Sequence, residues 1–303
     1  MATPFQVGAV RGWAHDEGHP AGTFRTFDHL DLRWPDGSPY TRARKVHVFV
    51  PRAPRPPGGF PVTVVHDGDT AFWPGGVANA TWDLAGVSSR TPAPPRVLVA
   101  LHPVDRDREY THAPWLRGAS WGGLPTYARW LAEVVVPWVR SWLPLDPRPA
   151  ATSVLGSSHG GLASFWAATR HPDVFGEAVC MSTSLFTGLD SLRSDARGGP
   201  LALAPLVRDV LPLLSDPTRR PRLWLDWGLS RDGGEHNSVV ERLATERGRE
   251  LAALLVDRCG YVEGVDLTTV EHPAAGHDET AWSERFGWWL ARTAPRAVTR
   301  RTP

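Results

Sequence analysis

The chain has 303 residues, 42% hydrophobic and 21% charged, with a formal net charge of +1. That is the composition of an ordinary globular protein with room for a sizeable core, and the near-zero charge gives no reason to expect nucleic acid or a membrane surface as a partner. The two cysteines, Cys180 and Cys259, are too few for a disulfide framework and form no metal-ligand pattern, and Cys180, in the apolar run EAVCMS, is expected as a free, buried thiol.

The opening stretch, MATPFQVGAVRGWAHDEG, lacks the basic segment and apolar run of a secretion signal. No segment reaches the roughly 18 apolar residues of a membrane span, so a cytoplasmic protein is expected. Residues 23–34 and 44–51 alternate as strands do, and a Pro/Gly-rich loop at 51–60 closes an N-terminal β section covering residues 1–60. The runs at 61–68, 96–103, 151–156, 176–182, 221–228 and 264–271 are strand candidates, most of them apolar nearly throughout, which suits a sheet covered on both faces. Helical patterns fall between them, at 126–143 (with Pro137 expected to kink it), 161–172, 239–260 and 280–292. The alternation from residue 61 onward implies an α/β fold with a mostly parallel sheet. One domain is expected over 1–303, with its core at 61–292 and a frayed tail at 293–303.

Gly156-Ser157-Ser158-His159-Gly160 fits G-x-S-x-G, with an apolar strand before it and a helix after it. A sharp strand-to-helix turn strains the central residue and requires small residues two before and two after it. The helix N-terminus then directs N–H groups and partial positive charge at the site. Ser158 is therefore the candidate nucleophile, and the N–H of His159 is a candidate oxyanion donor. The His159 side chain is assigned to local packing at the pocket edge.

A serine nucleophile needs a base, and the base needs an orienting acid. Among the histidines after Ser158, His277 in AAGHDETAW lies in a loop between the last strand and the last helix, where the base belongs; His272 is the second choice. The acid should lie near the loop after PRLWLDWG. Asp232 in its D-G-G setting is favoured, with Glu235 and Asp226 as alternatives. The loop VVHDGDTAFW offers the N–H of Asp69 or Thr70 as second oxyanion donor, with Gly68 allowing close backbone approach.

The segments HDGDTAF, DRDREYT, SVLGSSHGGLASFWAATRHPDVFG, WLDWG and AGHDETAW, in this order, resemble the landmarks of an esterase family of α/β-hydrolases. That family holds enterochelin esterases, S-formylglutathione hydrolase, feruloyl esterases and the antigen 85 mycolyltransferases. The resemblance covers about residues 61–290 and is nearest to the enterochelin esterase-like branch, whose R-x-x-E-Y-T pattern is matched by Arg106, Glu109, Tyr110 and Thr111. It implies an α/β-hydrolase fold, Ser158 as nucleophile, an acid after DWG and His277 as base. The family usually has D-G-Q where this chain has Asp67-Gly68-Asp69. An anion beside an oxyanion hole either faces away or recognises a cationic substrate.

Arg106 and Glu109 are either substrate ligands or an ion pair. Trp73, Trp115 and Trp121, in loops beside the predicted active-site segments, are candidates for an acyl pocket, and residues 183–199 for a lid. The expected activity is hydrolysis of carboxylic esters or lactones through an acyl-serine, without metal or organic cofactor. Acyl transfer from the same intermediate is the alternative, and a non-catalytic binding protein on a hydrolase fold a third reading. The expected partner is a small ester, lactone or acyl compound; a homo-oligomer is left open.

Overall fold

Runs such as VTVV and VLVAL have no polar side of their own, so they fold only where both faces of a sheet are covered. The computed structural model describes residues 2–16, 19–76, 78–112, 122–187 and 199–293. The strands are β1 (Thr3–Val7), β2 (Val10–His15), β3 (Gly22–Leu30), β4 (Arg44–Pro51), β5 (Val62–Val65), β6 (Val97–Leu101), β7 (Thr152–Ser157), β8 (Glu177–Met181), β9 (Arg222–Gly228) and β10 (Leu267–His272). They form one sheet in the order β1-β2-β3-β4-β6-β5-β7-β8-β9-β10. The pairings from β1 through β4 to β6 are antiparallel, and those from β6 to β10 are parallel. The expected strands lie within four residues of their sequence-based bounds; β1 and β2 are additional, too polar and too exposed to show as apolar runs.

The helices are α1 (Leu84–Arg90), α2 (Arg106–Tyr110), α3 (Leu124–Trp130), α4 (Val136–Arg140), α5 (His159–Arg170), α6 (Pro205–Leu214), α7 (Arg242–Cys259) and α8 (Glu279–Arg292). Side chains alternate across the sheet with a period of two. Val62, Val64, Val97, Val99, Val154, Ala178 and Leu225 enter the core beneath α3–α7, whereas Val65, Leu98, Leu155, Val179 and Trp224 pack toward α1 and α8. Helices thus cover both faces, and this is an α/β-hydrolase fold. Between α3 and α4, Leu131–Val135 form a π-helical turn. Pro137 stands two residues beyond it, and the irregularity expected of the proline is taken up as a widened turn. Cys180 and Cys259 are free and buried. Among the described residues, no helix is long and apolar enough to cross a membrane.

Candidate active site

Ser158 sits between β7 and α5 with φ 54° and ψ −121°, a backbone conformation that costs a non-glycine residue on the order of 1–3 kcal/mol. The surroundings hold it there. Its N–H donates to Met181 O at 2.9 Å, and its carbonyl accepts from Ser184 N at 3.0 Å. The flanking glycines answer to close approach: a Cβ on Gly156 would lie 2.5 Å from Gly160 C, and one on Gly160 would lie 3.2 Å from His66 Cβ. Asp67 and Ser182, at the ends of β5 and β8, also have positive φ, at 53° and 43°. Three of the five non-glycine residues with positive φ among the described residues therefore lie at the carboxyl ends of three neighbouring strands; the others, Asn79 and Asp83, lie in the segment leading into α1.

His277 comes from the loop after β10. Its N–H donates to Asn237 Oδ1 at 2.8 Å, and its Nδ1 lies 2.7 Å from Glu241 Oε2. The carboxylate on the ring is thus Glu241 and not Asp232, Glu235 or Asp226. Asp232 stays in an exposed Gly-rich loop and uses its backbone carbonyl, which accepts from Asn237 Nδ2. That loop secures the His277 backbone through Asn237, while the ring is secured from the helix. Glu235 is exposed at the start of the π-helical turn His236–Glu241 that leads into α7. Asp226 is buried at the end of β9, 3.2 Å from Arg285 Nη1. His272, the second choice for the base, lies 3.1 Å from Glu284.

Glu241 is fully buried and bonded on both oxygens. Oε1 accepts from Ser182 Oγ at 2.9 Å and from Gly228 N–H, and Arg285 Nη1 stands 3.9 Å away. Burial pushes its pKa up, but the His277 bond and charge and the Arg285 charge outweigh it, and the net direction is downward. Ser182 is itself held by Trp282 Nε1 at 3.2 Å and Arg285 Nη2 at 2.9 Å. Asp226, on the far side of Arg285, is pushed up to about 6, burial being the main cause. The Trp282 ring meets His277 edge to face at 5.0 Å.

Ser158 and His277 line one cavity of about 690 Å³, together with Asp69, Thr70, Arg106, Trp82 and Trp282. Within it the Ser158 hydroxyl is bonded to Ser184 Oγ at 3.0 Å; among the described residues it makes no hydrogen bond to His277. Of the two donors expected opposite, Thr70 N–H is committed to Asp67 O at 3.1 Å, whereas Asp69 N–H has no backbone acceptor among the described residues. Gly68 is required there, since a Cβ would lie 2.7 Å from Leu101 C. The His159 ring, pushed down to about 3 chiefly by burial, accepts from Arg106 at 3.3 Å.

Arg106 and Glu109 are not a pair. Arg106 holds both oxygens of Asp67, at 2.7 and 2.9 Å. Glu109 is buried away from the cavity, bound to Arg44 at 2.6 Å, so it is no substrate ligand. Trp73 also lies elsewhere, packed on Phe24 and His47 with ring centroids 4.7 and 5.0 Å away. Trp115 and Trp121 fall outside the described residues, as do residues 188–198 of the expected lid. The tryptophans on the cavity, Trp82 and Trp282, were not singled out from the sequence. Among the described residues, no three His, Cys, Asp or Glu side chains are placed to hold a metal ion.

Similar folds are found among solved structures. The enterobactin esterase FES from Shigella flexneri, crystallised with 2,3-di-hydroxy-N-benzoyl-glycine, is 18% identical, with a TM-score of 0.59 over 90% of this chain and 59% of that one. BES protein from Bacillus cereus is 15% identical, with a TM-score of 0.61 over 89% and 95%. The enterobactin hydrolase IroE in complex with DFP is 18% identical, with a TM-score of 0.57 over 92% and 97%. The uncharacterized protein YbbA of Bacillus subtilis (strain 168) is 28% identical over 134 residues; the match takes 42% of this chain and spans about half, 51%, of that curated relative. The model of the Esterase family, described as "Putative esterase", matches residues 38–292. That match takes in the whole core from β4 to α8, and the chain belongs to this Esterase family.

Proposed function

We propose that the chain is a serine hydrolase that cleaves carboxylic esters or lactones through an acyl-Ser158 intermediate. The observation that carries this reading is the pairing of two features on one cavity: Ser158 on its strained bend, and His277 with Nδ1 held by the buried Glu241. A carboxylate on Nδ1 keeps the proton there and leaves Nε2 as the acceptor. The Ser158 hydroxyl leaves Ser184 and gives its proton to His277 Nε2 as its oxygen attacks the ester carbonyl. The tetrahedral oxyanion is held by the N–H groups of His159 and Asp69, with the partial positive charge of the α5 N-terminus behind them. Collapse expels the alcohol, which takes the proton from His277. Water then repeats the sequence on the acyl-serine, releasing the acid and restoring Ser158. In this reading Glu241 takes the part expected of Asp232, and Asp69 rather than Thr70 supplies the second donor. The DFP complex of IroE, a protein of the same fold, is in keeping with a reactive serine.

The test is steady-state hydrolysis of a panel of 4-nitrophenyl esters by the wild type and by Ser158→Ala. Loss of about 10⁵–10⁶ in kcat is expected of a nucleophile acting with its triad. A variant within tenfold of wild type contradicts the assignment. The same assay with added alcohols, read by product analysis, separates hydrolysis from acyl transfer.

A further inference from the structure

The cavity that holds Ser158 and His277 carries an imbalance of charge. Four carboxylates line it, Asp67, Asp69, Asp278 and Glu279, against one guanidinium, Arg106. Arg106 is consumed by Asp67, bound at both oxygens, and Asp278 accepts the N–H of Ala281 at 2.9 Å as the cap of α8. Among the described residues neither Asp69 nor Glu279 has an ion-pair partner. Asp69 is the sharper case, because its Oδ1 is buried without a hydrogen-bond partner among the described residues. A buried acceptor left without a partner costs on the order of 1–3 kcal/mol, more when charged. Burial, with Asp67 adding its charge, pushes the Asp69 carboxyl up by more than its own backbone N–H and the Arg106 charge pull it down.

Its companion on the cavity wall is aromatic. Trp82 and Trp282 lie together with ring centroids 5.5 Å apart, and Trp282 also touches His277. Asp69, Trp82 and Trp282 line the same cavity, and a carboxylate together with indole rings in a partly desolvated pocket is the chemistry that recognises an ammonium group, by charge from the one and by the ring quadrupole from the others.

We propose that Asp69 is a specificity-determining residue, and that the ester attacked by Ser158 carries an ammonium or quaternary ammonium group, which binds between Asp69 and the Trp82–Trp282 pair. This rests on the esterase reading and adds the substrate class to it. The cation neutralises Asp69, and with it removes an anion from beside the N–H that stabilises the oxyanion. Binding of the charged substrate and stabilisation of its transition state are thereby coupled through one residue.

The test compares esters of matched shape. Choline butyrate is set against 3,3-dimethylbutyl butyrate, which places the charge on the alcohol side. The 4-nitrophenyl esters of 6-aminohexanoate and heptanoate place it on the acyl side. In the wild type, kcat/KM for the cationic member is expected to exceed its neutral partner by roughly tenfold or more in at least one pair, and the ratio to fall with added salt. Asp69→Asn is expected to bring the ratio to within about threefold of unity. The readout is a ratio within one protein, so a general loss of rate in the variant does not enter it. If the variant does not fold, the wild-type ratios and their salt dependence still decide. Ratios at or below one in both pairs, with the neutral esters turned over, overturn the cation site and leave the esterase reading standing. A wild type that turns over none of the four overturns the esterase reading, and the inference with it.

Discussion

Replacing Glu241 by Gln exchanges one oxygen for an amino group of the same size, and the surroundings dictate which. Oε1 takes hydrogen bonds from Ser182 Oγ and Gly228 N–H and stands 3.9 Å from the Arg285 guanidinium. An amino group there would face donors on every side, so the amide oxygen takes that position and the amino group points at His277. Across the 2.7 Å contact a donor then replaces an acceptor. The ring must present Nδ1 without its proton, which moves to Nε2, the atom that has to accept the proton of Ser158. The imidazole is held in the wrong tautomer. Such an exchange is expected to lower kcat by about 10³–10⁴, or roughly 4–5.5 kcal/mol of barrier, with KM little changed. The assay is saturation kinetics on a 4-nitrophenyl ester, with circular dichroism and a melting curve to establish that the variant is folded. Asp232→Asn serves as the comparison and is expected to stay within about threefold of wild type, since its side chain is exposed. A folded Glu241→Gln enzyme within tenfold of wild type, or a collapse of activity in Asp232→Asn, would refute the reasoning.

Two further outcomes follow from the geometry. Ser184→Ala removes the 3.0 Å bond that holds the Ser158 hydroxyl away from the base. A bond of about 1 kcal/mol favouring that rotamer means that kcat/KM should stay level or rise by up to about fivefold, whereas a drop beyond tenfold would show that Ser184 assists the reaction. The second outcome concerns acid. Burial is the leading cause that pushes His47 and His159 down to about 3 and His66 down to about 4. A depressed histidine contributes stability that is present above its unfolded pKa of about 6.5 and lost as pH falls toward the folded value, up to about 2 kcal/mol each by pH 5. Asp226, pushed up to about 6, runs the other way over the same range, because its stability is fully present below the unfolded pKa and lost as pH rises. The histidines outnumber it, so urea midpoints should fall between pH 7 and pH 5; an unchanged midpoint would contradict this balance.

The strained bend at Ser158 was legible because its constraints are local. The turn at Ser158 needs small neighbours at 156 and 160, and those positions carry glycine. The parallel strands were legible for a similar reason, since burial on both faces shows as unbroken apolar runs. The carboxylate on His277 was not legible in the loop after β9, because Glu241 is the last residue of a π-helical turn at the head of α7. A signal was there. Ala244, Gly248, Leu251 and Leu255 mark the buried stripe of that helix, and three residues back from Ala244 is Glu241, a carboxylate on an apolar face. Arg285 repeats the pattern in α8, lying among the buried Ala281, Trp282, Phe286 and Trp289. A charged residue on a buried stripe needs a partner, and here the two residues share one network. The separation of Arg106 from Glu109 could not be read from spacing. Three residues apart on one helix they look paired, but each has a better partner, Asp67 and Arg44, brought in from another strand end.

The central claim is that Ser158 is a nucleophile activated at this site. A fluorophosphonate carrying a mass tag, applied to the wild type and followed by proteolytic digestion and mass spectrometry, tests it most directly. The account predicts one adduct, on the peptide that contains Gly156-Ser157-Ser158-His159-Gly160, localised by fragmentation to Ser158 and absent from Ser158→Ala. An adduct on Ser157, on Ser184 or elsewhere, or a folded protein that takes no label, would contradict it.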